Sequence, residues 1–415
     1  MAGLGWIHFS DTTRRQVLKI IDILGEPGTI DELGIGVVRN AFSNELFKGI
    51  STIMTRARYY YFVPYLMIDY LREKQKQPID VYMKNAEMDL LEAMTRKYAD
   101  PEKERIIGYT IAKKNIEVGK RVQELVRKPS EIYWGGIRQF KLFKMEHSFG
   151  QLCDSINKGN FSKKPKDNNG NSEESGDDDT KYEKWADLFD VPYRSNWNKH
   201  DMTLTPEEAL HLQDHICKRV NGQFLSQILK NKDFTKEFLA ITSFKEILNT
   251  EFYLNLAVHD QQVVKTAVQF WDLLEGAHIR FNLLIQSRPA QEKPISFEQN
   301  WDEWVERVMN SFDWAEFDRD FLWKLVDKHS RINFKTKDFI NKWLDAIKAK
   351  NSIEVLDEIV SLQEKNNKGA RSKLIESNKD SYSGWIGIDR LEYRLNNVQI
   401  IVRDIASPLD SIGYA

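Results

Sequence analysis

Leu204-Thr-Pro-Glu-Glu-Ala-Leu-His-Leu-Gln-Asp-His215 is the stretch that decides how this chain folds. Thr205 carries the side-chain oxygen of a helix cap. Pro206 suits the first turn, and Glu208 stands where a carboxylate reaches back to the cap. Apolar side chains at helical spacing continue downstream through 234–248, 253–285, 301–325, 336–349 and 353–364. Strand-like alternation is scarce, and no solenoid period emerges. The expected class is mainly α, multi-helical, with few or no strands.

The same reading works upstream. Ser10 or Asp11 caps a first helix carrying Gln16, Val17, Ile20, Ile21 and Leu24, ended by Gly25 and Pro27-Gly28. Thr29 caps a second through Leu33, Val37, Phe42 and Leu46, closing at Gly49. Ser51 or Thr52 caps a third from about Ile53 to Glu73, with Pro64 as an internal kink. These three form a small helix-turn-helix-like bundle with the third as reading element. Two more helices are expected over 78–128, broken at Asp100-Pro101. Tyr133-Trp134-Gly135-Gly136 reads as a turn, and Ile137 to Phe149 as helical again. From Asn157 to Thr180 apolar periodicity vanishes, as expected of a disordered linker or loop. The expected organisation is an N-terminal helical domain (1–156), a linker (157–182) and a C-terminal helical domain (183–415), the last ending in a turn and helix over Ile386 to Ile405.

A chain of 415 residues, 41 % hydrophobic and 12 % aromatic, has the material for more than one packed core. Its net charge of −2 makes no global statement about partners. Residues 1–150, however, hold 24 Lys and Arg against 19 Asp and Glu, and the remainder 36 against 43. That basic bias is compatible with an anionic partner and far weaker than a dedicated nucleic-acid patch. Cys153 and Cys217 are the only cysteines, too few for a cysteine zinc site or disulfide framework and in keeping with a reducing cytosol. Asp11, Arg14 and Arg15 interrupt any signal-peptide pattern, and no apolar run of about eighteen residues exists. A cytoplasmic protein with no membrane partner is expected.

Standard catalytic motifs are missing. No phosphate loop of the Gly-x-x-x-x-Gly-Lys type and no Gly-x-Ser-x-Gly elbow occurs. Gly34-x-Gly36 precedes a helix instead of following a strand, so it reads as a packing device. His211 and His215 are one turn apart, the zinc-binding spacing of metalloproteases, but Gln213 and Asp214 stand where the Glu base belongs and Cys217 lies off that face. They read as ordinary helix histidines, and neither a metal nor a cofactor is expected. Asp31-Glu32 and Glu207-Glu208 read as first-turn acids favoured by the helix dipole. The aromatic set Phe297, Trp301, Trp304, Phe312, Trp314, Phe317, Phe321 and Trp323 is interleaved with acids, which suits a core and not a base-stacking platform.

The polar block near the start is more informative. Ser51, Thr52, Thr55, Arg56 and Arg58 gather at the expected start of the third helix, with Arg39 on the second and Tyr59, Tyr60 and Tyr61 following. Free amides, hydroxyls and guanidinium groups together make an anion or nucleic-acid site. The same residues equally make a buried network in which the arginines pair with Asp31, Glu32 or Glu45. The sequence leaves both open.

Several motifs resemble one bacterial family of unknown function. They are Gly5-Trp-Ile-His-Phe-Ser10, Asp31-Glu-Leu-Gly-Ile-Gly36, Ser51-Thr52…Thr55-Arg-Ala-Arg-Tyr59…Phe62-Val-Pro64, Tyr133-Trp-Gly-Gly136, Leu204-Thr-Pro-Glu-Glu-Ala209, and Arg371…Leu374…Gly384-Trp385…Leu391-Glu-Tyr-Arg394…Asp404-Ile405. The order is kept from end to end. His8 stands where the family's first motif is more often acidic, and Leu395 where a tryptophan follows Tyr-Arg. The resemblance implies an accessory protein of phage-defence gene clusters, alongside helicase-like and phospholipase-D-like partners. It also pairs the arginines of the two chain ends, so that Arg56 and Arg58 are expected to converge with Arg371 and Arg394. Three functions follow: a DNA-binding or complex-forming subunit acting through the N-terminal arginines, a metal-dependent nuclease or other enzyme with an unrecognised site, and a pure scaffold with every arginine in a salt bridge.

Overall fold

The computed structural model describes residues 31–73, 75–100, 104–159, 187–288, 296–375, 382 and 384–413. Its helices are, in chain order, α1 (Gly36–Leu46), α2 (Tyr59–Arg72), α3 (Ile79–Lys97), α4 (Tyr109–Glu117), α5 (Pro129–Gln139) and α6 (Phe149–Asn157). After them come α7 (Pro206–Arg219), α8 (Phe224–Leu229), α9 (Lys232–Ala240), α10 (Glu251–Asn255) and α11 (Val258–Gln286). The last are α12 (Phe297–Trp304), α13 (Arg319–His329), α14 (Phe334–Lys348), α15 (Ile353–Lys368) and α16 (Leu395–Ser411). No strand forms among the described residues; there is an isolated antiparallel bridge between Phe143 and Phe189. The chain is mainly α, as its spacing predicts. The first expected helix, the motif around His8 and residues 160–182 of the expected linker lie outside the described residues.

Two compact units emerge, divided at 45/46, 261/262 and 393/394. The described residues of the segments flanking the expected linker, 46–156 and 187–261, share one unit with 394–413; those of 31–45 and 262–393 make the other.

In the first unit α14 and α15 pack as a hairpin. Trp343 is fully buried and donates from Nε1 to the Leu273 carbonyl at 2.9 Å. Trp304 lies flat against Gly276 of α11: a Cβ there would sit 2.4 Å from the indole. The aromatic set expected as core is core at Phe297, Trp301, Trp304, Phe317 and Trp323. The single helix expected over 301–325 is interrupted: α12 passes into a π-helical turn over Val305–Met309 that ends there, and Asp318 caps a new start by accepting from Phe321 N at 2.8 Å.

The second unit is built around α2, which packs on α3 and α5, and around α16, which packs on α7 and α9. Three expectations fail here. Tyr133–Gly136 is not a turn but the middle of α5, because Gly136 lets that helix touch the Gly49 carbonyl. The third helix starts at Tyr59 and not near Ile53, so Ser51 and Thr52 do not cap it. Nor can α2 serve as a reading element. All but two of its residues are buried, Pro64 among them, which leaves no free face to enter a groove.

The α3–α5 contact contains a buried acid. Glu87 accepts from Ser130 N at 2.6 Å and Ser130 Oγ at 3.1 Å, and burial pushes its carboxyl up to about 7. The folded state therefore keeps this proton to higher pH than the unfolded chain. Its stabilising contribution is complete below about pH 4.5 and is lost as pH rises through about 7. Glu87→Gln is expected to flatten the pH dependence of unfolding free energy between pH 5 and 7 by up to about 1.4 kcal/mol per pH unit. Urea titrations of both proteins across that range check it, and parallel curves would refute it.

Candidate functional site

The polar block expected at a helix start is an irregular segment, residues 49–58, that leads into α2. An irregular segment must satisfy its backbone groups by other means than a helix ladder. Side chains do so here from every side. Tyr60 donates to the Gly49 carbonyl at 2.8 Å, and Arg394 to the Ile50 carbonyl at 2.8 Å. Asn397 donates to the carbonyls of Thr52 (3.1 Å) and Met54 (2.7 Å). The Tyr133 hydroxyl accepts from Thr55 N (2.8 Å) and Arg56 N (3.0 Å) and donates to Arg56 O (2.8 Å). Asp404 accepts from Ala57 N at 2.8 Å.

The arginines of this segment are held by carboxylates of their own unit. Arg56 Nε meets both Asp404 oxygens at 2.9 and 3.1 Å, and its Nη1 meets Glu104 at 3.0 Å. Arg58 is 1 % exposed and pairs with Glu208 Oε2. Glu208 also accepts from Tyr65 at 2.9 Å and from Thr205 N at 2.8 Å, so the residue that closes the capping box also neutralises Arg58. The acids that the sequence offered as partners are engaged elsewhere. Glu32 binds Lys368 and Lys373, Glu45 binds Lys328 and His329, and Asp31 caps α1 through Ile35 N and Gly36 N.

The other candidate residues have surroundings of their own. Ser51 is half-buried, Thr52 is exposed, and Thr55 is half-buried beside Tyr133. Arg39 and Arg371 belong to the first unit, where Arg39 reaches Asn40 Oδ1 at 3.4 Å and Arg371 is exposed. Arg394 shares the second unit with Arg56 and Arg58 but serves the Ile50 carbonyl.

A second constellation lies at the histidine pair of α7. The rings of His211 and His215 stack with centroids 4.3 Å apart. Asp190 reaches both: Oδ1 is 3.7 Å from His211 Nε2, and Oδ2 is 3.6 Å from His215 Nε2. Asp190 owes its place to the bridge at Phe143 and Phe189. Its backbone N–H donates to Leu142 O at 2.9 Å, and Lys144 N donates to Leu188 O at 2.9 Å. Sequence reading found the histidines but not the carboxylate, which comes from an irregular segment with no motif around it. Gln213 and Asp214 are turned away, toward Leu229 O and Lys218 respectively, so no metalloprotease-type base faces the pair. Burial, and the neighbouring His215 after it, holds the His211 imidazole below its ordinary pKa and favours the neutral ring.

A model of a family of unknown function, DUF6361, matches residues 1–407. The chain belongs to this family. No characterised protein and no solved structure matches it. Among the described residues no helix is long and apolar enough to cross a membrane.

Proposed function

We propose that the protein is a cytoplasmic, complex-forming accessory subunit of a bacterial anti-phage defence system, and that its N-terminal arginine block builds the subunit instead of reading DNA. The observation that carries this is the internal neutralisation of Arg56 and Arg58 by Asp404, Glu104 and Glu208. A guanidinium clamped by two carboxylates has its donors occupied, and recruiting it to phosphate would require breaking those pairs. The phage-defence setting rests on the motif resemblance. The partner class it favours is protein, a helicase-like or phospholipase-D-like component, with DNA reached through that partner.

Co-expression with neighbouring gene products, followed by affinity purification, tests the reading. The expected result is a stable complex that survives nuclease treatment. The isolated chain is expected to show no DNA affinity that falls when Arg56 is changed to Ala. Salt-dependent DNA binding by the isolated chain that is lost in Arg56→Ala would overturn it, because each phosphate contact contributes to the salt slope.

A further inference from the structure

We infer that Asp190, His211 and His215 form a binding site for one divalent transition-metal ion of the zinc class. The hydrogen bonds around the two rings fix which nitrogens carry protons. His215 Nδ1 lies 2.9 Å from the Phe140 carbonyl, which can only accept; the ring proton of neutral His215 is therefore on Nδ1. His211 Nδ1 lies 3.1 Å from the Tyr61 hydroxyl. That hydroxyl has one proton and directs it to the Glu208 carbonyl at 2.7 Å, so toward His211 it acts as acceptor. His211 too is the Nδ1–H tautomer. Both Nε2 atoms thus carry a lone pair on the side where Asp190 presents its two oxygens; the rings stack with planes 26° apart, so one ring must turn to bring both lone pairs onto a single ion.

A carboxylate facing two imidazole Nε2 atoms is favourable only with a positive charge between them, supplied by a proton or by a cation, and a divalent ion satisfies all three groups at once. One ligand atom from each can be chosen so that all lie within 4.8 Å of one another. A tetrahedral zinc with bonds of about 2.1 Å separates its ligand atoms by about 3.4 Å. Each histidine faces a different Asp190 oxygen, His211 Nε2 at 3.7 Å from Oδ1 and His215 Nε2 at 3.6 Å from Oδ2, so one ion is held either by a chelating carboxylate or after a side-chain rotation that brings a single oxygen to both. Two imidazoles and one carboxylate form the donor set of zinc and of other first-row divalent ions. Each imidazole also has the outer hydrogen bond that fixes ring orientation in metal sites, to a carbonyl for His215 and a hydroxyl for His211.

The surroundings define what kind of site this is. His215 is 9 % exposed, His211 21 % and Asp190 42 %. The imidazoles are rooted in the fold while the carboxylate side meets solvent. Three protein ligands with an open side leave room for water, the arrangement of a Lewis-acid centre and not of a closed structural one. Tyr61 then acquires a role. It continues the Thr55-Arg-Ala-Arg-Tyr59 block into α2, and it is the positioning residue for His211. Arg58 and Tyr65 fix the Glu208 side chain, whose backbone carbonyl takes the Tyr61 proton.

The test uses the full-length chain, stripped with chelator and titrated with Co²⁺ and Zn²⁺ alone. One equivalent is expected to bind, with a d–d absorption for Co²⁺ that Zn²⁺ displaces. His211→Ala, His215→Ala and Asp190→Asn, each with wild-type helix content by circular dichroism, should each weaken binding by at least about 10-fold, and Tyr61→Phe by about 10- to 100-fold. Cys217→Ser should leave binding unchanged. Should a ligand variant not fold, Zn²⁺ must still slow modification of His211 by diethyl pyrocarbonate in the wild-type chain. No saturable uptake, uptake undiminished in folded ligand variants, or unprotected His211 would overturn the site. Metal binding with wild-type affinity in Tyr61→Phe would overturn the role of Tyr61 alone.

Discussion

Replacing Arg58 with Met is expected to remove about 3–5 kcal/mol of stability, the cost of leaving one partner of a buried ion pair uncompensated. Arg58 is 1 % exposed, and its guanidinium also lies 5.2 Å from the Phe62 ring centroid. Methionine keeps most of the side-chain volume, so the loss reports the charge and not a cavity. Glu208 would retain its bonds from Tyr65 and Thr205 N but lose its cation. The complementary change Glu208→Leu is expected to cost as much or more, because it also breaks the capping box of α7. The double variant Arg58→Met/Glu208→Leu is expected to be more stable than the sum of the single losses predicts, since neither charge then remains buried alone. Urea unfolding followed by circular dichroism measures all four proteins. A single-variant loss below about 1 kcal/mol would place the pair in the class of exposed bridges and refute this account.

Gly136→Ala is expected to cost at least about 3 kcal/mol, at or beyond the upper end of ordinary overpacking. In a helix, Gly→Ala normally stabilises by up to about 1 kcal/mol through backbone entropy and propensity. Here a Cβ would lie 2.3 Å from the Gly49 carbonyl oxygen and 2.7 Å from the Tyr60 ring. The first of these is backbone and is itself held by the Tyr60 hydroxyl, so it has little freedom to retreat. The neighbouring Gly135 supplies the control. It is exposed in the same helix, a Cβ there would meet no heavy atom within 4 Å beyond its chain neighbours and its own helix backbone, and Gly135→Ala is expected to be neutral or stabilising. Thermal melts of both variants decide the matter: equal effects would mean that contact with the 49–58 segment does not constrain α5.

These two predictions concern one design. The 49–58 segment has no regular structure to satisfy its backbone, and it is held by Tyr60, Tyr133, Arg394, Asn397 and Asp404. Two of the family-type motifs, the arginine block and the C-terminal Tyr-Arg…Asp-Ile segment, therefore meet through their backbones and ion pairs. Arg56 and Asp404 are 348 residues apart in the chain and 2.9 Å apart in space. Loss of function in variants of these motif residues should thus be read first as loss of folding.

The chain's local chemistry determined its helical class and many of its helix starts. Thr205 and Glu208 form the capping box that their spacing prescribes, because a cap and its partner three residues on interact within one turn whatever the rest of the chain does. The reading of 133–136 as a turn failed for the opposite reason: glycine pairs look alike in a turn and in a helix that must approach another backbone, and only the neighbour at Gly49 tells them apart. Tertiary structure alone decided where the charges go. Arg56 and Arg58 pass over the acids nearest in sequence for Asp404, Glu104 and Glu208, since a long side chain pairs with whatever carboxylate packing brings within reach. It alone joined Asp190 to the histidines of α7, through a two-residue bridge too short to leave a sequence pattern.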